Sequence, residues 1–120
     1  MTNLFFDDNK DTYYDGVITE NDMKNGYGYK IEKDKLKEII LHNDYTDTDY
    51  NQKWYQYKYA LPLKLTWNMS MKDIVSLLGK PHEYGNVLDE FDYPDKKIHI
   101  KFDGADYLDS KILYIEIGSR

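Results

Sequence analysis

Three histidines and one serine at a helix start are the side chains in this sequence best suited to acid–base or nucleophilic chemistry, and their settings argue against that use. His42 ends the aliphatic run EIILH, His82 follows GKP, and His99 alternates with lysines in KKIHIKF. None sits in an HExxH pair, and the chain carries no GxSxG elbow, no Walker-type phosphate loop and no GxGxxG turn. Ser70 stands three residues before Asp73, the spacing of a helix cap rather than of a nucleophile and its base. The absence of cysteine removes thiol nucleophiles, thiolate metal sites and disulfides together. Asp7, Asn9 and Asp11 place oxygens as an EF-hand loop does, but the glycine needed at the sixth position is Thr12 and the bidentate glutamate needed at the twelfth is Ile18. The acids Asp103, Asp106 and Asp109 around Gly104 read as a hairpin connection, and the pairs Asp7/Asp8 and Asp89/Glu90 read as solvated. The expectation is a protein with no catalytic residue, no metal and no cofactor.

Recognition of another protein is the chemistry that remains. Asp44, Tyr45, Asp47, Asp49, Tyr50, Trp54 and Tyr55 fall within twelve residues. Carboxylates steer a basic partner from a distance, and rigid rings anchor in its pockets. Trp54 is equally readable as a core residue, whereas residues 44–50, so rich in aspartate, would leave several charges unpaired if buried. Tyrosine occurs 13 times in 120 residues, more than one small core requires, and it favours interfaces. The charge supports the same partner: 16 basic against 22 acidic residues give −6, with Arg120 the sole arginine, so nucleic acid is an unsuitable ligand.

The elements that must position these residues form one domain, since 120 residues are too few for two independent cores. A mean hydropathy of −0.80 and the lack of any apolar run near the roughly 20 residues of a membrane span leave the membrane out, and MTNLFFDD is no signal peptide, so a cytoplasmic protein is expected. Residues 1–26 predict short strands or loops, with NLFF as an edge strand. Residues 27–42 admit two readings: a helix over 32–41 with Leu36, Ile39 and Ile40 on one side, or, preferred, a hairpin pairing YKIE with EIIL across DKLK. Residues 42–53 predict a polar loop, and 54–59 a strand with alternate tyrosines. In LPLKLTWNMSMKDIVSLLGKP, the capping pair Ser70/Asp73, the apolar stripe Met71, Ile74, Val75, Leu77 and Leu78, and the stops Gly79 and Pro81 predict a helix of about two turns. VLDEFDY, KKIHIKF and KILYIEI then alternate as strands, with Ile98, Ile100 and Phe102 on one face and Leu113, Ile115 and Ile117 sharing another. The whole reads as α+β: a single domain over 1–120, an antiparallel β-sheet with a short helix packed on one face and a C-terminal three-stranded meander. Its 1–60 half is rich in Tyr and Asp, and its 61–120 half holds the helix and the meander.

The block LPLKLTWNMSMKDIVSLLGKP, followed by EFDYPDKKIHIKFDG and KILYIEI, resembles a bacterial pattern. It is similar to small immunity proteins of polymorphic toxin and contact-dependent inhibition systems, which carry LPxGLxxxMSxxEVxxLLGxP before an aromatic strand and two more strands. The succession also resembles the structural unit of β-lactamase inhibitor protein and of the outer-membrane assembly lipoprotein SmpA. The likeness covers residues 61–117; Lys64 stands where the pattern has glycine, and Asp73–Ile74 where it has Glu–Val. The lipoprotein branch needs a signal sequence and a lipid-bearing cysteine, so the resemblance implies an inhibitor: a protein that neutralises a cognate, basic toxin domain, of nuclease type, by occluding its active site. A non-catalytic interaction or scaffold module of the same fold with another partner is the alternative.

Overall fold

The computed structural model describes residues 17–82 and 89–118. Two three-stranded meanders, one from each end of these residues, join edge to edge into a single antiparallel sheet. The first contains β1 (Val17–Asp22), β2 (Tyr27–Glu32) and β3 (Lys35–His42). A two-residue turn, Lys33–Asp34, links β2 to β3 with both residues at positive φ (52° and 64°), as type I′ hairpins require. Residues 27–42 are therefore a hairpin, tighter than one crossing at DKLK, with a bulge at Lys37. A small second sheet follows, from β4 (Tyr45–Asp47) and β5 (Gln52–Trp54). The chain then runs to α1 (Met71–Leu78) and the second meander: β6 (Glu90–Tyr93), β7 (Ile98–Phe102) and β8 (Ile112–Gly118). Strand order is β1-β2-β3-β8-β7-β6. Pairing β3 with β8 makes one α+β domain of the two halves. The suggested NLFF strand and the Asp7/Asn9/Asp11 and Asp7/Asp8 groups lie outside the described residues.

Register explains the core. Directly paired residues share a face, so Tyr27, Leu41, Ile115, Ile100 and Phe91 form one row across the sheet, and Tyr29, Ile39, Ile117, Ile98 and Tyr93 the next. Over β6–β8 this face is closed by α1. The Ser70 hydroxyl accepts from the Asp73 amide (3.3 Å) and the Asp73 carboxylate accepts from the Ser70 amide (3.0 Å), completing the capping box. Met71 and Ile74 are buried with Leu65, Phe102 and Ile112. Two assignments change. Leu77 is 39% exposed rather than part of the buried stripe, because it lies on the solvent side of the helix from Met71, Ile74 and Leu78. A bulge opposite Lys101/Phe102 makes Leu113 the extra residue, so Ile112, not Leu113, pairs with Phe102 in the core.

Residues 42–59 differ most from expectation. Residues 45–54 form the β4–β5 hairpin rather than a structureless loop, and the strand ends at Trp54 instead of running on to Tyr59. Residues 55–59 form a strap crossing the end of β3 from one sheet face to the other. Its amides Tyr55 N and Tyr57 N donate to Met23 O and His42 O, both at 3.0 Å. Gly26 permits the crossing: a Cβ there would stand 2.2 Å from Tyr55 O, and its φ of 75° suits glycine.

Candidate partner-binding site

The seven acid and aromatic residues singled out from sequence all lie on or beside the β4–β5 hairpin, and tertiary contacts divide them. His42, the last residue of β3, is the root. Trp54 stacks flat on its imidazole, with 3.5 Å between ring centroids and 6° between planes. Tyr45 lies over the same ring, its hydroxyl 3.4 Å from His42 Nδ1, and Tyr114 packs at 5.7 Å. Trp54 is thus 5% exposed and cannot serve as a partner anchor, which corrects its assignment. Tyr45 is half-buried for the same reason, being paired with Trp54 in the ladder. Asn43 ties the root down: its Nδ2 donates to Ile112 O at 2.7 Å, and its Oδ1 accepts from Asp44 N and Gln56 Nε2.

The outer part of the hairpin remains open to solvent. Tyr50 is 74% and Tyr55 50% exposed, and Asp44 and Asp49 are exposed. Asp47, half-buried, accepts the Asp49 amide at 3.0 Å and shapes the tip, where Asn51 takes a left-handed φ of 53°. Lys53 bridges the two sides, forming an ion pair with Asp44 and lying 5.5 Å above the Tyr55 ring. Burial under the rings lowers the His42 pKa to about 4, so the root imidazole is neutral at physiological pH. Burial likewise raises the Tyr45 hydroxyl, with Asp47 and Tyr114 adding to it, to about 12. The site therefore presents carboxylates and rings on a fixed, uncharged footing.

Other polar groups away from the hairpin pair within the fold. Asp89 and Glu90 are paired rather than merely solvated: Lys101 Nζ lies 2.8 Å from Asp89 Oδ2, and Glu90 Oε1 lies 2.6 Å from the buried His99 Nε2. Asp103 and Asp106 accept backbone amides in the β7–β8 connection. His82 bridges to Asp92 at the end of β6. Among the described residues no cluster of three or more histidine or carboxylate side chains could hold a metal ion, and no helix is long and apolar enough to cross a membrane.

One surface went unrecognised in the sequence. A groove of about 630 Å³ lies on the apolar face of β2 and β3, lined by Tyr27, Tyr29, Ile31, Leu36, Ile39 and Leu41 and closed on one side by Tyr57 and Tyr59. The alternation of Tyr27, Tyr29 and Ile31, far in sequence from the helix that Ser70 opens, was its available signal. Comparison with family models, with curated proteins and with solved structures finds no match to this chain.

Proposed function

We propose that this chain is a non-catalytic immunity protein that binds a basic toxin domain of nuclease type and neutralises it by occluding its active site. The observation that carries the proposal is the set of exposed acids and rings, Asp44, Asp49, Tyr50 and Tyr55, on a hairpin whose root is clamped by the Trp54–His42 stack. A ridge ordered in advance loses little conformational freedom on binding. Nuclease active sites are built to attract a polyanion, and aspartates on a chain of net charge −6 present comparable charge. The likeness of residues 61–117 to immunity proteins supports the same reading, in which the protein acts in the cytoplasm, before damage occurs.

The experiment is co-expression with the product of the neighbouring gene, where the immunity reading places the toxin. The intact chain should restore growth and associate with the purified toxin. The double variant Asp49→Lys/Tyr50→Ala should bind at least tenfold more weakly, about 1.4 kcal/mol, at an unchanged Tm. If the variant binds as tightly as the parent, the hairpin is not the contact surface. If parent and toxin fail to associate at micromolar concentrations, the immunity reading fails.

A further inference from the structure

The sequence holds a single Asn–Gly pair, Asn25–Gly26, and it lies in the turn between β1 and β2. Asparagine before glycine is the dipeptide most open to self-modification, because no Cβ on the glycine hinders attack of its amide nitrogen on the asparagine side chain. Gly26 N forms a bond to Asn25 Cγ, and the side-chain nitrogen leaves as ammonia with the proton that Gly26 N gives up. The resulting succinimide takes up water. Hydrolysis breaks either the new N–Cγ bond, which leaves aspartate, or the original bond from Gly26 N to the Asn25 carbonyl carbon, which leaves the main chain routed through Cβ as isoaspartate.

Both reacting groups are occupied in the fold. Gly26 N donates to Asp22 O at 2.9 Å, so the nucleophile is committed elsewhere. Asn25 Nδ2 donates to Asp22 Oδ2 at 2.9 Å and Asn25 N to Asp22 Oδ1 at 3.1 Å, which fixes the side chain that would have to turn. Gly26 is buried against the strap: a Cβ there would stand 2.2 Å from Tyr55 O and 2.5 Å from Tyr57 N, so its peptide has little space to swing toward Cγ. The same turn anchors the strap and the end of β3. Met23 O accepts from Tyr55 N at 3.0 Å and Gly26 O from His42 N at 2.8 Å, and residue 25 lies between those two carbonyls. An isoaspartate lengthens the main chain between them by a methylene, and either product sets a carboxylate beside that of Asp22 in place of the amide that bonded it.

We propose that Asn25–Gly26 is a latent deamidation site, held shut by Asp22 and the strap, whose conversion loosens the strap and with it the footing of the β4–β5 hairpin. Conversion then proceeds through local opening of the turn, and its rate follows the open population. The proposal concerns the chain by itself and stands independently of the immunity reading.

The full chain is incubated in mildly alkaline buffer with and without denaturing urea, and conversion at residue 25 is followed by peptide mass spectrometry. The folded chain should convert at least tenfold more slowly than the unfolded one, by a factor within about threefold of the hydrogen-exchange protection of the Gly26 amide. Asp22→Ala should speed conversion of the folded chain at least threefold and leave the rate in urea unchanged; if the variant is destabilised as a whole, rate and Gly26 protection should still move together. Asn25→Gln, whose longer side chain closes a ring far more slowly, should abolish the mass gain at this position. Chain converted in urea, refolded and separated by its added negative charge should melt earlier and exchange its Tyr55 and His42 amides at least tenfold faster than the parent. Equal rates folded and unfolded, an Asp22→Ala rate like the parent's, or native exchange at Tyr55 and His42 after conversion would each overturn the proposal.

Discussion

At the scale of single residues, the turn before α1 and the root of the hairpin each carry measurable tension. Leu63 and Lys64 both adopt left-handed backbone, with φ of 56° and 64°, in the turn leading toward α1. An L-residue held there costs on the order of 1 kcal/mol, and glycine does not. Lys64→Gly should raise stability by about 1 kcal/mol, read as a higher urea midpoint at constant m; a lower midpoint would mean that the lysine side chain makes a contact outweighing the strain. His42 is the root of the hairpin. Its pKa in the folded chain, lowered by burial to about 4, lies below the ordinary 6.5. Between these values the unfolded chain binds a proton that the folded one refuses. Its stabilising effect is therefore complete above pH 6.5 and is lost as pH falls toward 4. His42→Phe retains a ring under Trp54 and removes this titration. Relative to the variant, the parent should lose up to about 3 kcal/mol across that window, at roughly 1.4 kcal/mol per pH unit; parallel pH profiles would refute a buried neutral imidazole.

At the scale of elements, α1 is the lid of the C-terminal core and the 55–59 strap is the clasp of the N-terminal half. The helix presents Met71 and Ile74 inward and leaves Leu77 39% exposed. Ile74→Ala should cost about 2 to 5 kcal/mol through lost burial and a residual cavity. Leu77→Ala should change stability by no more than about 0.5 kcal/mol. Denaturant titration of both variants decides the orientation of the stripe, and equal losses would mean that it is rotated. Tyr93 reinforces the lid, its hydroxyl donating to Gly79 O at 2.8 Å at the helix end. The strap works differently, through backbone bonds and the Gly26 crossing, and holds Trp54 on one face of the sheet and Tyr57 on the other.

At the scale of the molecule, the described residues extend 46 × 29 × 29 Å. The acid-rich hairpin, with Asp44 and Asp49 exposed, stands at the end of β3 away from the β2–β3 turn. Long-range attraction should therefore act on encounter with a basic partner more than on the lifetime of the complex. Raising salt from about 50 to 500 mM shrinks the Debye length from above about 10 Å to a few Å. For the toxin partner proposed above, the on-rate should fall at least tenfold, with a much smaller change in off-rate, in stopped-flow measurements. A salt-independent on-rate would show that the hairpin carboxylates take no part in steering.

What could be read from the sequence was whatever local chemistry decides. Every determinant of α1 lies between Ser70 and Pro81: cap, apolar spacing, terminal glycine and proline. Alternation in 98–102 and 112–118 likewise marked strands whose pairing follows from their proximity in the chain. The remaining features depended on partners distant in sequence. Helix and hairpin were both compatible with residues 27–42, and pairing with β8, some seventy residues later, gives β3 the strand neighbour on each side that a helix there could not have. Trp54 became core because His42 brings a flat ring beneath it, a contact no local pattern encodes. The choice of Ile112 over Leu113 rests on one bulge that reverses a face. Among the described residues, the tyrosine groove lies where the sheet face runs on past α1, which packs over β6–β8, a matter of the extent of the sheet and not of any one segment.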